Sequence, residues 1–443
     1  MNDLRRLLKP TNARLLKLQE AEDRLTAAGQ RAGAQLIRVG ESREGRPIQL
    51  VRFGRGEARS FWYAGPHANE VIGVSTIVEL AERLADEPTI LDGNVGFDLV
   101  LCIDPDGYIR NEDWFGPSID LTAYFRGFFR PAMAEFPDWD FPLDYSSEAG
   151  SLHRPSQLPE SQALRAALEL SRPIALNALH NAELGGAHFC LAGTRETRGL
   201  AQQLSELISQ FDMPRETAML DDPSAVPLAP GVFPVPDLGS ACEAVLGLEH
   251  PEPASLLPFG DSAASWCTRY GTISVIPEIP YWSRVEGDAP SGCTTSDLAR
   301  ETAEDLAEES GWLEGVLVSN ADFLPEQDPR ARSLRDGVNV MRRLGAGLSA
   351  WGGSDAASGA ASFEDLSRFR DMLGTCFPQR YRGMLLTALE ANGAPAHAVA
   401  EAESAFAAGQ AKLLALELRP HPIRTLVDVQ LTTGVLVTEA ALA

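Results

Sequence analysis

Hydrophobic positions change period several times along the first hundred residues, and each change marks an element. Leu15, Leu16, Leu18, Ala21, Leu25 and Ala28 recur at helical intervals with charges between them, which predicts an amphipathic helix within residues 10–32. Residues 34–40 alternate as a strand does, a polar turn carrying Gly45 fills 41–46, and 47–53 alternates again, so a hairpin is expected. The apolar run 60–64, the turn Gly65-Pro66 and helical spacing from Val71 onward predict strand, turn and helix, with Glu87-Pro88 as the stop. Residues 95–103 are almost unbroken apolar, the mark of a strand covered on both faces. Asp104-Pro105-Asp106-Gly107 then closes it with type I turn chemistry.

Beyond this the pattern loosens. Residues 108–157 are rich in aromatics, proline and aspartate with little periodicity, as in an ordered functional loop. A helix over 160–170 leads to a buried-looking strand over 173–179 that ends at His180, and 187–191 continues as a strand after the loop 181–186. A helix over 194–211, a proline-rich excursion over 223–258 and a short helix over 262–269 follow. Residues 272–278 form a strand in which Pro277 favours an edge or terminal position, and Glu278 projects from its end. Helices are expected over 297–317 and 328–348, a Gly/Ser/Ala-rich linker over 345–361, further helices to about 416, and a terminal hairpin from the alternation in 427–431 and 434–437. The expected architecture is α/β: a mixed twisted sheet with helices on both faces, plus a mainly helical C-terminal region. Its expected divisions are a helical segment 1–35, a sheet domain 36–320 and a helical region 321–443.

Composition narrows the partners. The chain of 443 residues, 44% hydrophobic and 23% charged, can bury a sizeable core. A net charge of -24 repels phosphates, which argues against nucleic acid and anionic membrane and leaves neutral or cationic ligands. Cys102, Cys190, Cys242, Cys267, Cys293 and Cys376 lack any Cys-x-x-Cys spacing and read as reduced core residues. The N-terminus has no apolar leader core and no later stretch offers about 18 uncharged apolar residues, so a cytoplasmic protein is expected.

The candidate chemistry lies at the strand ends. His67 and Glu70, three residues apart where a strand stops and a helix begins, can face one point, and Zn²⁺ accepts such a pair when a second histidine joins it. The competing structural reading places Glu70 in a first helical turn, complementing the macrodipole. His180 and Glu278 close two later strands; each also has a plain reading, as a satisfied core histidine and as a strand-end carboxylate. His188 competes with His180, while His153, His250, His397 and His421 sit in polar or proline-rich surroundings that suggest the surface.

Taken together, residues 37–282 resemble the zinc carboxypeptidase family. The shared motifs are Gly40-Glu41-Ser42-Arg43-Glu44-Gly45-Arg46-Pro47-Ile48, Gly65-Pro66-His67-Ala68-Asn69-Glu70, Asp104-Pro105-Asp106-Gly107-Tyr108, Leu179-His180-Asn181 and Ile276-Pro277-Glu278-Ile279. The resemblance implies one Zn²⁺ per chain held by His67, Glu70 and His180, with Glu278 as general base. A metal lowers the pKa of water to about 7 and a nearby carboxylate then moves protons near neutral pH. Charge on the tetrahedral intermediate would be met by the metal and a positive side chain. The family's Asn-Arg pair, which grips a terminal carboxylate, is not matched after the Pro-Asp-Gly turn. Arg130 is the favoured candidate for polarising the scissile carbonyl, Arg110 and Arg126 are candidates for substrate binding, and Tyr281 flanks Glu278 where the family has a mobile tyrosine. The expected activity is hydrolysis of a C-terminal peptide or related amide bond in a peptide or small amide substrate. Deacylation of N-acyl amino acids, cleavage of cell-wall peptide amides and catalytically silent peptide binding are the alternatives.

Overall fold

Trp62 and Ala64 point to one side of the strand Ala58–Ala64 and Phe61 and Tyr63 to the other, and all four are buried. Successive strand side chains face opposite ways, so such a run is stable only with cover on both faces. The computed structural model describes residues 4–193, 197–219, 225–236, 238–247, 260–284, 287, 292–354 and 357–443. In it this strand lies inside an eight-stranded mixed sheet.

In chain order the strands are β1 Gln35–Glu41, β2 Pro47–Phe53, β3 Ala58–Ala64, β4 Val95–Val100, β5 Leu143–Ser147, β6 Gly150–Arg154, β7 Ala175–Leu179, β8 His188–Ala192, β9 Val232–Pro234, β10 Ile273–Glu278, β11 Trp282–Ser283 and β12 Arg419–Pro420. The sheet order is β1-β2-β4-β3-β7-β10-β8-β9. Its centre, β4-β3-β7-β10, is parallel throughout, so the carboxyl ends of β3, β7 and β10 lie side by side. Antiparallel pairings flank it, β1 with β2, β2 with β4 and β10 with β8.

Helices cover both faces. Leu25, Ile77, Leu204 and Leu431, from the helices Leu18–Ala32, Ile72–Asp86, Arg198–Gln210 and Ile423–Leu442, share one core with Trp62, Phe97, Leu99 and Val275. On the other face, Leu164 of Pro159–Ser171 and Ala263 of Ala263–Cys267 pack with Phe61, Tyr63, Leu176 and Ile276. The helices Thr295–Ser319, Pro329–Gly352, Phe377–Ala391 and Ala396–Leu414, with a π-helical stretch Ser367–Cys376, make up the helical region, and Thr294 and Asp297 form a capping box at its start.

Several elements differ from the sequence expectation. The expected terminal hairpin is the helix Ile423–Leu442; its valines and threonines mimic strand alternation, but burial on nearly every side overrides that local preference. Long and apolar enough to cross a membrane, this helix has 61% of its apolar window buried within the molecule. It lies on the sheet, so the expected boundary at 320 does not divide helical region from sheet. Pairing of Trp282 with Pro420 and Ser283 with Arg419 brings the two ends of the intervening bundle together. The irregular stretch 108–157 contains the β5–β6 hairpin and the helix Leu121–Gly127. β10 is an interior strand, and Pro277 sits near its terminus, past the last β7 ladder pair of Val275 with Asn177. The expected linker is helical as far as Gly352. Residues 194–196 and positions 223–224, 237 and 248–258 of the proline-rich excursion, His250 among them, lie outside the described residues.

Candidate metal centre

Ligands of open α/β sheets collect outside the carboxyl ends of the strands, and that is where the candidate side chains meet. Gly65, with φ 61°, turns the chain out of β3; a Cβ there would stand 2.6 Å from Cys102 Sγ, so both conformation and space require glycine. His67 and Glu70 follow in the turn before the helix Ile72–Asp86. His180 is the residue after β7, Glu278 is the last of β10, and a parallel bridge joins them. The motif at residues 40–48 braces this arrangement from behind. Ser42 Oγ donates to Asp106 Oδ1 at 2.9 Å, the Glu44 N–H donates to Asp106 Oδ2 at 2.9 Å, and Arg46 pairs with Asp106 at 3.0 Å. The expected Pro-Asp-Gly turn is the first turn of the short helix Pro105–Ile109, capped by Asp104 Oδ1 accepting from the Gly107 N–H at 3.0 Å.

The two imidazoles stand edge to face with centroids 4.9 Å apart, between two carboxylates. On one side Glu70 Oε1 lies 2.8 Å from His67 Nδ1 and Oε2 3.0 Å from His180 Nδ1. On the other, Asp138 Oδ2 lies 3.1 Å from His180 Nε2 and Oδ1 3.9 Å from His67 Nε2. All four residues are buried. Both ring nitrogens of His180, Nε2 of His67 and Oδ1 of Asp138 nevertheless have no hydrogen-bond partner among the described residues. His67 Nδ1 is hydrogen-bonded to Glu70 Oε1, whereas the carboxylate oxygens near His180 and near His67 Nε2 lie off the N–H directions and surround a point with those nitrogens. Buried polar atoms left in this way are costly, and a divalent cation relieves the cost, so the donor set fits Zn²⁺.

Among the described residues one three-residue set meets at close range, and a further carboxylate lies on the Nδ1 side of both rings. His67, Asp138 and His180 can each place one ligand atom within 4.8 Å of the others, a His-Asp-His cluster able to bind a metal. The Nδ1 side offers Glu70 instead. Glu278 approaches that second side, with Oε1 3.7 Å from His180 Nδ1, and its side chain keeps 22% of its surface exposed, so the Nδ1 side has the open edge. Asp138 then stands on the Nε2 side of the rings, with Oδ2 3.1 Å from His180 Nε2. Sequence reasoning missed Asp138; its only signal was membership of the ordered aromatic stretch.

Electrostatics follow the same lines. Burial alone would raise the Glu70 carboxyl, but His67 and His180 outweigh it and hold Glu70 well below the usual carboxylate range. Burial disfavours the His180 cation, yet Glu70 and Asp138 raise its pKa well above the ordinary value. His67 is lowered, by burial and then by Arg130. Asp138 is lowered because the two histidines overcome its desolvation.

The three candidate arginines separate clearly. Arg130 reaches Glu70 Oε1 at 3.2 Å, stacks 4.8 Å from the centroid of the Phe136 ring, and keeps 21% of its side chain exposed. Arg110 pairs with Glu44 and the Asp106 carbonyl, and Arg126 is bound to Thr387 at 2.8 Å and Glu390 at 2.5 Å, so neither is brought to the cluster. Tyr281 is buried, its hydroxyl donating to the Asn69 carbonyl at 2.8 Å and accepting from the Val71 N–H at 3.0 Å. It pins the His67–Glu70 turn instead of facing a substrate. His188 is paired across the sheet with Glu278 and stands outside the ring cluster. His421, expected at the surface, is buried 2.8 Å from Ser283 Oγ, and burial pushes its pKa down to about 4. Next to the site, Tyr124 donates to Glu183 at 2.7 Å and Asn69 to Tyr124 at 3.0 Å, while Arg380 of the helical region pairs with Glu183.

Comparison with solved structures returns a candidate metallopeptidase of Shewanella amazonensis, with 14% identity and TM-score 0.41 over 59% of this chain and 84% of that one. A metallo-carboxypeptidase of Burkholderia cenocepacia gives 19% identity and TM-score 0.36 over 59% and 60%. Bovine thrombin-activatable fibrinolysis inhibitor in complex with tick carboxypeptidase inhibitor gives 12% and 0.33 over 76% and 98%. Likeness at this level carries no argument about chemistry. A search of curated proteins gave no match. The family model for zinc carboxypeptidase matches residues 26–115, and over that stretch, which includes His67 and Glu70, the chain is similar to a divergent member of the family.

Proposed function

We propose that this protein is a zinc-dependent hydrolase that cleaves a C-terminal peptide or related amide bond in a peptide or small amide substrate. The observation that carries the reading is the convergence of His67, Glu70 and His180 at adjacent strand ends with Glu278 3.7 Å from His180. These three residues would hold one Zn²⁺ per chain, which when bound supplies Lewis acidity and lowers the pKa of water to about 7. Glu278, on the exposed edge, takes the proton of the attacking water and returns it to the leaving amine. Arg130, the one candidate arginine at the cluster, opposes the charge that develops on the carbonyl oxygen. Asp138, with Oδ2 3.1 Å from His180 Nε2, places a negative charge on the far side of that ring. Neither nucleic acid nor anionic membrane has a part in this reading.

A second reading draws support from Arg110 and Arg126, both held elsewhere and so not available to grip a terminal carboxylate. It assigns the same centre to deacylation of N-acyl amino acids or cleavage of cell-wall peptide amides. Blocked dipeptides with free and with amidated C-termini, assayed beside N-acyl amino acids, separate the two. Loss of turnover on amidation supports the first, and turnover of N-acyl amino acids alone supports the second. Zinc content near zero with no activity restored by zinc would leave a silent peptide-binding protein. Glu278→Gln is expected to retain zinc and lose at least about 100-fold in kcat; a wild-type rate in that variant contradicts the base assignment.

A further inference from the structure

We propose that Gln430, on the helix Ile423–Leu442 at the end of the chain, is a positioning residue that sets the spacing between His180 and the turn carrying His67 and Glu70. The inference rests on the zinc reading above. Gln430 is completely buried, and both ends of its amide are engaged. Nε2 donates to the backbone carbonyl of His180 at 2.9 Å, and Oε1 accepts from Thr76 Oγ1 at 2.7 Å. Thr76 belongs to the helix Ile72–Asp86, which begins two residues after Glu70. One side chain therefore ties the strand end bearing one ligand to the helix that anchors the other two.

The orientation of the amide is dictated by its partners. The His180 carbonyl can only accept, so it requires the NH₂ end, and this turns Oε1 toward Thr76. Thr76 Oγ1 also lies 3.1 Å from the Ile72 carbonyl, but its single hydrogen must go to Gln430 if the buried Oε1 is to be satisfied. Elsewhere the same helix meets the sheet through Thr438 and Ser60, whose hydroxyls are 2.7 Å apart, and that contact touches no ligand residue. Groups that orient metal ligands without touching the metal typically change affinity by roughly 10- to 100-fold when lost.

The test is zinc affinity, by competition with a chromophoric chelator, on full-length variants whose folding is checked by circular dichroism. Gln430→Leu is expected to raise the zinc Kd by roughly 10- to 100-fold. Thr76→Val should weaken binding in the same direction, and Thr76→Ser should restore it. Thr438→Val, which loosens the same helix away from the site, should lower the melting temperature and leave Kd within about 2-fold. Wild-type affinity in Gln430→Leu, or equal weakening in Thr438→Val, overturns the proposal. If Gln430→Leu does not fold, the Thr76 pair decides: equal Kd in the valine and serine variants overturns it. A wild-type protein that binds no zinc overturns the hydrolase reading and this inference with it.

Discussion

Asp104 shows how one buried carboxyl can be tested apart from the metal. Burial pushes its pKa up to about 7 against the pull of Arg43, 3.7 Å away, and of the Gly107 N–H. An acid whose folded pKa lies above its unfolded one contributes stability below the unfolded value of about 3.8 and loses it as pH rises through about 7. Asp104→Asn keeps an acceptor for the cap and removes the ionisation. It is therefore expected to be more stable than wild type at pH 8, by about 1 to 3 kcal/mol, and to converge with it near pH 4. Thermal melts at both pH values check this. The positions of His180 and Glu278, and of the turn carrying His67 and Glu70, were legible in the sequence because an apolar run stops at or just before each of them. Asp138 was not, since it arrives from the 3₁₀ turn Pro137–Trp139, where no period assigns a direction. Arg110, Arg126 and Arg130 look alike in sequence, and only their partners, Glu44, Glu390 and Glu70, tell them apart.

Among the elements, the parallel strands and the helices beside them followed from hydrophobic period, whereas the last helix did not. Val427, Val429, Leu431, Val435 and Val437 suit a strand locally, and only the apolar sheet face on which they pack decides for helix. Gly434 records how close that packing is, because a Cβ there would stand 1.8 Å from the ring of Trp62. Gly434→Ala gains helix propensity, but the clash outweighs it, and a net loss of about 1 to 3 kcal/mol is expected in urea unfolding. Adding Trp62→Phe opens room, so the double variant should recover part of the loss. An unchanged midpoint for Gly434→Ala would contradict this packing.

For the whole molecule, the helical region is an insertion whose ends meet at the β11–β12 pairing, and it bears on the site. Ser333 Oγ donates to the Arg130 carbonyl at 2.7 Å, Asp336 accepts from the Met133 N–H at 2.7 Å and Arg332 pairs with Glu135 at 2.7 Å, so the bundle holds the segment that brings Arg130 and Asp138 to the histidines. Sequence pattern located these helices without revealing what they touch, because contacts between segments 200 residues apart leave no local period. The central claim is that the ends of β3 and β7 deliver one metal-binding set beside Glu278, the last residue of β10. Anomalous diffraction at the zinc edge from crystals of the zinc-loaded protein tests it most directly. The account predicts one peak per chain, bonded at about 2.0–2.2 Å to His67 Nδ1, Glu70 and His180 Nδ1. No peak at the strand ends, or a peak between the Nε2 atoms and Asp138 with Glu70 unbound, would contradict it.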